Sequence, residues 1–455
     1  MKKAFLTLIW LFFLQLTSGQ NWQRFAGDST LNINDVYIDS SSSTLYANAY
    51  IVDVNGDTIH TPSIWNGINF NKIGDFNFTP YTGFPKAIIS YNNQIYIGGF
   101  FNKYNGAPGD YFLKLNANNG WDTASISPTF IVLSFGVLDD TLIVMGGFST
   151  IGNLSSRSIA KFSNSTWTPI ETGLFQMGYV RSMCQYNDSI IFSGNFGGDY
   201  LVPFDGNVLT YYQDSVFPFD EGIDIGTSKG SIIEGIHCSI VYNGELYVAG
   251  DFNSNYGKSI LKWNGTNWID IASTPGVVVP FSIRAMTVYN NELYVGGSFV
   301  YIGGVNASHV AKWDGQKWCG LGSYINGAVN TMFVYNNELI ISGEFNTIDG
   351  VYFNSIAKWA GGNYSDTCQV VGIEEWIDQN NIIIYPTLIE SFISVSNSSG
   401  IIDEISLVDV SGRVLMKQFP QNDNCTINTV ELIPGVYLVK IKSSKNEIVR
   451  KVVKM

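Results

Sequence analysis

Histidine is scarce in this chain, and so are the arrangements that usually carry catalysis. His60, His237 and His309 are the three histidines among 455 residues, and none stands in a metal-ligand spacing such as His-Glu-x-x-His. No Gly-x-Ser-x-Gly nucleophile elbow is present. Charged residues make up 14% of the chain, and basic ones are the rarer, 25 Lys and Arg against 38 Asp and Glu, for a formal net charge of -13. That balance argues against a nucleic-acid partner, which needs a basic face; its ordinary consequence is solubility. Beyond Leu16 no apolar run is long enough to span a membrane, so no transmembrane segment is expected in the mature chain. No long stretch repeats its apolar residues with a helical period. The five cysteines, Cys184, Cys238, Cys319, Cys368 and Cys425, are too scattered for a disulfide scaffold, and the odd count leaves one unpaired.

The first residues read as an address. Lys2 and Lys3 precede an apolar run from Ala4 to Leu16, and Thr17, Ser18 and Gly19 follow. This is the pattern of a secretory signal over 1–19, cleaved before Gln20. An oxidising destination permits disulfides. Cys319 and Cys368 end two successive repeats and could approach each other; buried thiols are the default expectation.

What the chain has in abundance is Gly, Tyr, Phe and Trp, arranged in a repeat. Its clearest copy runs from Tyr289 through Asn290-Asn291, Glu292-Leu293-Tyr294-Val295 and Gly296-Gly297 to Phe299. Related copies end at Tyr50, Phe100, Phe148, Phe196, Phe252 and Phe345. The seven anchors lie roughly 46 to 56 residues apart, the period of a β-propeller blade.

Within one repeat the strands can be placed. Ala285 to Tyr289 alternates and forms an inner strand; Asn290-Asn291 is a tight turn, because Asn tolerates positive φ. Glu292 to Gly297 is the second strand, His309 to Trp313 the third, and Lys317 to Leu321, across an Asp314-Gly315 turn, the outer one. Third-strand aromatics recur at Trp65, Phe162, Phe204, Trp263 and Trp359, and outer-strand aromatics at Trp121, Trp167 and Trp268. Such residues fill the wedge between neighbouring sheets. The Gly pairs at 98–99, 146–147 and 296–297 let backbones pack closely at a strand end, and no helix follows them to make a phosphate loop. The last repeat, ending Trp359-Ala360-Gly361-Gly362, lacks an outer strand, whereas Asn21-Trp22-Gln23-Arg24-Phe25 looks like an outer strand without its sheet. The N-terminal strand is therefore expected to complete the last blade and hide the sheet edges of a closed ring. The expected class is all-β, a seven-bladed β-propeller over 20–370.

A second strand ending in Gly-Gly, a third-strand aromatic and a following Trp resemble the kelch and galactose-oxidase-like propellers, over roughly Gln20 to Gln369. The departure is spacing: the aromatic and the Trp are closer here, as in Trp313 and Trp318. The resemblance specifies fold better than function. A galactose-oxidase-like copper site needs His and Tyr ligands and a crosslinking Cys on one face. No such set can be assembled, and no metal or cofactor is expected.

After Cys368 the repeat stops. Residues 371–381 read as an acidic and polar linker. Over 382–455, alternation and Gly-bearing turns imply a small β-sandwich. This segment resembles the type A C-terminal sorting domain of the bacterial type IX secretion system, through Tyr385-Pro386, Asp409 with Gly412-Arg413, the run Leu432 to Tyr437 with Gly435, and the basic end at Lys451 to Lys454. It departs where Thr387-Leu388 follows Tyr385-Pro386. The resemblance implies export through Sec and then across the outer membrane of a Bacteroidetes-type cell, with the type IX machinery as partner. It implies an extracellular or surface location. The bland alternative is an ordinary β-sandwich binding module.

For a ligand site the sequence offers two loops. Asp53, Asn55 and Asp57 alternate as in a calcium loop, but Thr58 replaces the turn glycine and Ile64 the bidentate Glu, so a plain polar loop is preferred. The stretch Tyr211 to Glu234 reads as a swollen connection between the fourth and fifth blades, holding Tyr211, Tyr212, Asp214, Phe217, Phe219, Asp220 and Glu221. Long loops in compact domains are often functional, and aromatics beside carboxylates suit sugars or a protein partner. A loop that merely covers the channel mouth is the competing reading. No recurrent polar set near the axis is evident. Two functions stay open: a non-catalytic, secreted or surface protein that binds glycan or protein, as in adhesion, and a polysaccharide-acting hydrolase or lyase using Asp220 and Glu221 as acid and base.

Overall fold

The computed structural model describes residues 22–25, 32–39, 42–52, 58–74, 83–104, 107–123, 126–170, 178–196, 207–212, 215–219, 223, 234–254, 256–272, 282–361, 368, 382–385, 388–389, 392–397, 400–409, 412–443 and 446–454. Every regular element among them is a strand. Seven four-stranded antiparallel sheets account for 22–359. They are numbered here by their first strands: Asn32–Asp39, Phe84–Tyr91, Val132–Leu138, Tyr179–Tyr186, Gly235–Tyr242, Ser282–Tyr289 and Val329–Tyr335. Each first strand contacts the next, and the seventh contacts the first, so the row closes on itself. The architecture is all-β, mostly antiparallel and consistent with a propeller.

Local chemistry explains the hairpins. Asn92-Asn93, Asn290-Asn291 and Asn336-Asn337 all have positive φ, the requirement for both central residues of a type I′ turn. Sheet six runs in the expected order, Ser282–Tyr289, Glu292–Ser298, Val310–Trp313, Trp318–Gly320. Tyrosines at the ends of first strands tie neighbours together: the Tyr91 hydroxyl donates to Asp140 O at 2.8 Å, Tyr242 to Asn291 O at 3.0 Å, and Tyr335 to Ser43 O at 3.3 Å. The last of these links sheet seven to sheet one.

The wedge aromatics pair across the third and outer strands. Ring centroids are 4.9 Å apart for Trp65 and Phe70, 4.6 Å for Phe162 and Trp167, 5.4 Å for Trp263 and Trp268, and 5.1 Å for Trp313 and Trp318. In sheet seven the partner of Trp359 comes from the start of the chain. Trp22–Arg24 pairs antiparallel with Ile356–Trp359, in the register Trp22 to Trp359 and Arg24 to Ala357. Trp22 is fully buried, and burying so large an apolar side chain is worth roughly 2–3 kcal/mol. The strand exchange read from the sequence is present.

The structure corrects three placements. The buried anchor of sheet two is Phe101, not Phe100: in register, Phe100 faces Phe84 just as Asp251 faces Gly235 and Ser298 faces Ser282. Two phenylalanines stand side by side there, and Phe101 is the one fully buried. Tyr50 is shifted in the same way, facing Asn32. Second, the third strand of sheet four is Val208–Tyr212 and its outer strand Ser215–Pro218. Tyr211 fills the wedge position assigned to Phe204, which lies outside the described residues. Third, Cys319 and Cys368 form a disulfide rather than buried thiols. The N-terminal strand takes the fourth place of sheet seven, so that place is closed to the chain after Trp359, and Cys368 bonds to the outer strand of sheet six. Cys184 and Cys238 are free, and burial pushes their thiols up to about 11 and about 12.

In the tail, a three-stranded sheet contains Ile382–Tyr385, Phe392–Asn397 and Asn424–Asn428; a five-stranded sheet contains Leu388–Ile389, Ile402–Asp409, Val414–Gln418, Gly435–Ser443 and Asn446–Lys454. Ile384, Ile393 and Val395 of the first share one apolar core with Ile405, Leu407, Val439 and Ile441 of the second, consistent with a β-sandwich. The signal segment and the 371–381 linker lie outside the described residues.

Candidate functional site at the bulged end of the ring

Each of the seven first strands carries a register shift near its beginning. The extra residues are Asn34, Lys86, Leu133, Arg181, His237, Arg284 and Asn330. A bulge bends its strand and leaves one residue unpaired. Opposite each bulge the second strand carries a small residue: Ala49, Gly99, Gly146, Gly194, Gly250, Gly297 or Gly343. A Cβ on any of the six glycines would lie 1.9–2.3 Å from a carbonyl oxygen at or just before the start of the first strand, such as Tyr179 O at Gly194 and Phe84 O at Gly99. The Gly-Gly signature of the repeat is thus the footprint of the bulge.

Because the first strands form a closed row, these seven bulges gather at one end of it. One residue beyond the small residue, Tyr50, Phe100, Gly147, Asn195, Asp251, Ser298 and Glu344 form a second row at that same end. A recurrent set, largely polar, therefore does stand near the axis, against the expectation from sequence. The register slip hid it: inner-strand alternation puts these residues on no consistent face until a bulge re-aims them.

Charge is concentrated there. Arg284 donates through Nη1 to Glu344 at 3.0 Å and to Asn330 Oδ1. Burial pulls Arg181 down to about 10, opposed by Tyr179 and Asp251. Burial raises Asp251, with Glu234 adding to the rise and Arg284 and Arg181 opposing it. Enclosure lowers Lys86, and Arg181 and Arg284 lower it further. Cations from sheets two, four and six thus feel one another across the ring.

Beside this set runs a strip of partly exposed aromatic rings from sheet one towards sheet three. Tyr50 lies 5.5 Å from His60, His60 6.2 Å from Phe84, and Phe84 5.8 Å from Phe100, centroid to centroid. Phe100 continues to Tyr111 at 5.7 Å and Phe130 at 6.2 Å. Lys86 Nζ sits 5.2 Å over the Phe84 ring. Burial, then Lys86, holds His60 down at about 4, so its imidazole is neutral at physiological pH. His309 is a backbone clasp: its Nδ1 lies 3.2 Å from Gly297 O and 3.3 Å from Phe299 N.

The described ones among the loop residues picked from sequence do not gather in one place. Tyr211 is buried in the wedge between sheets. Phe219 packs on Trp263 and Trp268, 5.3 and 5.7 Å away. Tyr212 and Phe217 are exposed, but they flank the third-to-outer-strand turn, which the antiparallel order puts at the end opposite the bulges. Asp214, Asp220 and Glu221 lie outside the described residues, as do Asp53, Asn55 and Asp57. Among the described residues no group of three or more His, Cys, Asp or Glu could hold a metal ion, and no helix is long and apolar enough to cross a membrane.

In the tail, Arg413 Nε donates to Asp409 Oδ2 at 3.1 Å, and its backbone N–H donates to Asp409 Oδ1 at 3.0 Å across the turn holding Gly412. The buried Tyr437 donates its hydroxyl to Ile433 O at 2.7 Å, two residues before Gly435. Tyr385 ends the first tail strand; Pro386 lies outside the described residues.

Comparison with known proteins agrees with this division of the chain. Residues 383–455 match the secretion system C-terminal sorting domain family, and residues 92–120 match a β-propeller domain family of unknown function. No curated protein matches the chain. Among solved structures, PorZ of Porphyromonas gingivalis, described as an essential bacterial surface component of the type-IX secretion system, is 12% identical with a TM-score of 0.45 over 94% of this chain and 60% of its own. A Bacteroides thetaiotaomicron protein of unknown function is 10% identical with a TM-score of 0.35, over 72% and 90% of the two chains. The AfRom2 CNH domain is 9% identical with a TM-score of 0.25, over 95% and 98%. At these scores the three likenesses decide neither fold nor function, and this chain spans about 60% of the PorZ structure's length. The chain joins a propeller-like domain to a type IX C-terminal sorting domain. It is an extracellular or cell-surface protein exported by that system.

Proposed function

We propose that this is a non-catalytic glycan-binding protein whose seven sheets are the blades of a seven-bladed propeller, with a sandwich tail serving as its export signal. The domain bounds proposed are 20–370 and 382–455, and Tyr385, Pro386, Asp409, Gly412, Arg413, Gly435 and Tyr437 are the tail residues proposed to meet the type IX machinery. The kelch-like likeness of the repeat is part of the same reading. The observation that carries the ligand assignment is the aromatic strip Tyr50, Phe84, Phe100, Tyr111 and Phe130 at the bulged end. These rings are only partly buried, whereas wedge aromatics such as Phe112, Trp121 and Trp318 are buried between the sheets. Rings left partly open beside fixed charges offer flat apolar faces to sugar C–H groups and polar partners to hydroxyls.

A glycan array probed with the exported protein tests this. Binding should be lost in Phe100→Ala and Tyr111→Ala and retained in Phe217→Ala at the opposite end. Binding that survives both strip variants sinks the site, and cleavage of any arrayed glycan sinks the non-catalytic reading. Recognition of a protein but of no glycan would move the assignment to a protein partner.

A further inference from the structure

The aromatic strip and the cations meet at Lys86. Its bulge position in sheet two holds the ammonium over Phe84 and beside the Phe100 end of the strip. Arg181 and Arg284 occupy the same bulge position in sheets four and six. Among the described residues, the acids of this end are each set against a guanidinium: Glu344 in sheet seven, which also acts on Tyr50, is bonded to Arg284, and Asp251 in sheet five balances Arg181. The groups that most affect the charge on Lys86, apart from its enclosure, are both cations. Three basic side chains thus share this end, in a chain whose formal net charge is -13.

An ammonium seated on an aromatic face, on a residue left exposed, is stabilised by an arriving anion. A charge-assisted bond there is about twice as strong as a neutral one. A sugar ring stacked on Phe100 or Tyr111 would carry a ring substituent towards Lys86.

Resting on the glycan-binding reading, we infer that the ligand is an acidic glycan: uronic-acid residues stack on the strip and place their carboxylates against Lys86 and Arg181.

The test is calorimetric titration of the whole exported protein with oligogalacturonate, oligoglucuronate and alginate oligomers, each beside its fully methyl-esterified counterpart. Esterification removes the charge and keeps the sugar. At least one free acid should bind ten-fold or more tightly than its ester and weaken with added salt. Lys86→Gln and Arg181→Gln should each weaken that acid ten-fold or more beyond any effect on its ester. Because a variant can fail for loss of fold, its melting temperature is read alongside, and the acid-to-ester ratio of the unaltered protein stands as a separate criterion. Equal affinity for acid and ester, binding of neither, or a folded Lys86→Gln protein that keeps the preference overturns the inference. Poly-glutamate binding as tightly as the acid oligomers, a response to charge alone, overturns it too. Array binding of neutral glycans lost in Phe100→Ala, with no acid preference, would defeat this inference and leave the glycan-binding reading intact.

Discussion

Trp22 lies edge-on to Trp359, ring centroids 4.9 Å apart and planes at 62°, and this contact joins the two ends of the ring. The strand it belongs to is three residues long and has little of its own to hold it. Trp22→Ala should therefore cost about 3–5 kcal/mol, measured by denaturant unfolding. Hydrogen exchange should rise first in Ile356–Trp359, the strand left without an outer neighbour.

Gly297 meets the bulge of sheet six directly. A Cβ there would stand 2.0 Å from Ser282 O and 2.9 Å from the Ile283 Cα. Backbone on both sides cannot yield as a side chain can. Gly297→Ala is expected to destabilise by about 2 kcal/mol or more and, because it disturbs the neighbouring bulge residue Arg284, to weaken ligand binding as well. A protein of unchanged melting temperature would show that the bulge is not needed.

Asp35 is enclosed between sheets one and two, where its Oδ2 accepts from Ile88 N at 3.1 Å. Burial lifts its carboxyl to about 7, against backbone hydrogen bonds that pull it down. The folded state then holds a proton that the unfolded state has released between about pH 4 and pH 7. Stability should fall as pH rises through that window and level off above it. Asp35→Asn, which keeps an acceptor, should flatten that part of the profile of melting temperature against pH.

The Cys319–Cys368 bond spans a sequence separation of 49. A loop of that length implies up to about 4 kcal/mol of stabilisation by the chain-entropy estimate. Cys368→Ser should lower the melting temperature, and dithiothreitol should lower that of the unaltered protein to match. No shift in either would mean that the bridge constrains nothing.

Removal of 382–455 should leave the propeller-like part in the periplasm. Protease added to intact cells would then spare it, whereas the full chain is digested or released. Unchanged surface display would contradict the role given to the tail.

Much of this could be read from residues alone because the repeat is local. Asn-Asn turns, the Gly near six of the seven anchors and the Trp pairs lie within a few positions of one another, and each states its own backbone need. Even the exchange of Trp22 was legible, since a missing outer strand at one end matched a spare one at the other. The tail was legible from a few spaced residues. The candidate site was not. Lys86, Arg181 and Arg284 are nearly 100 residues apart in steps, and each sits alone in an ordinary inner strand. In the stretch from Tyr211 the sequence did not show that Val208–Tyr212 is a strand, with Tyr211 a wedge residue.

What the sequence by itself determined is the unit and its number: seven sheets, closed by the first strand, followed by an exported tail. It could do so because turns and strand ends depend on near neighbours. What only the tertiary structure decided is which residues share the bulged end. A one-residue slip in every first strand changes which side chains are aimed there, and ring closure then brings together cations from three separate sheets. Neither effect leaves a local mark that spacing can reveal.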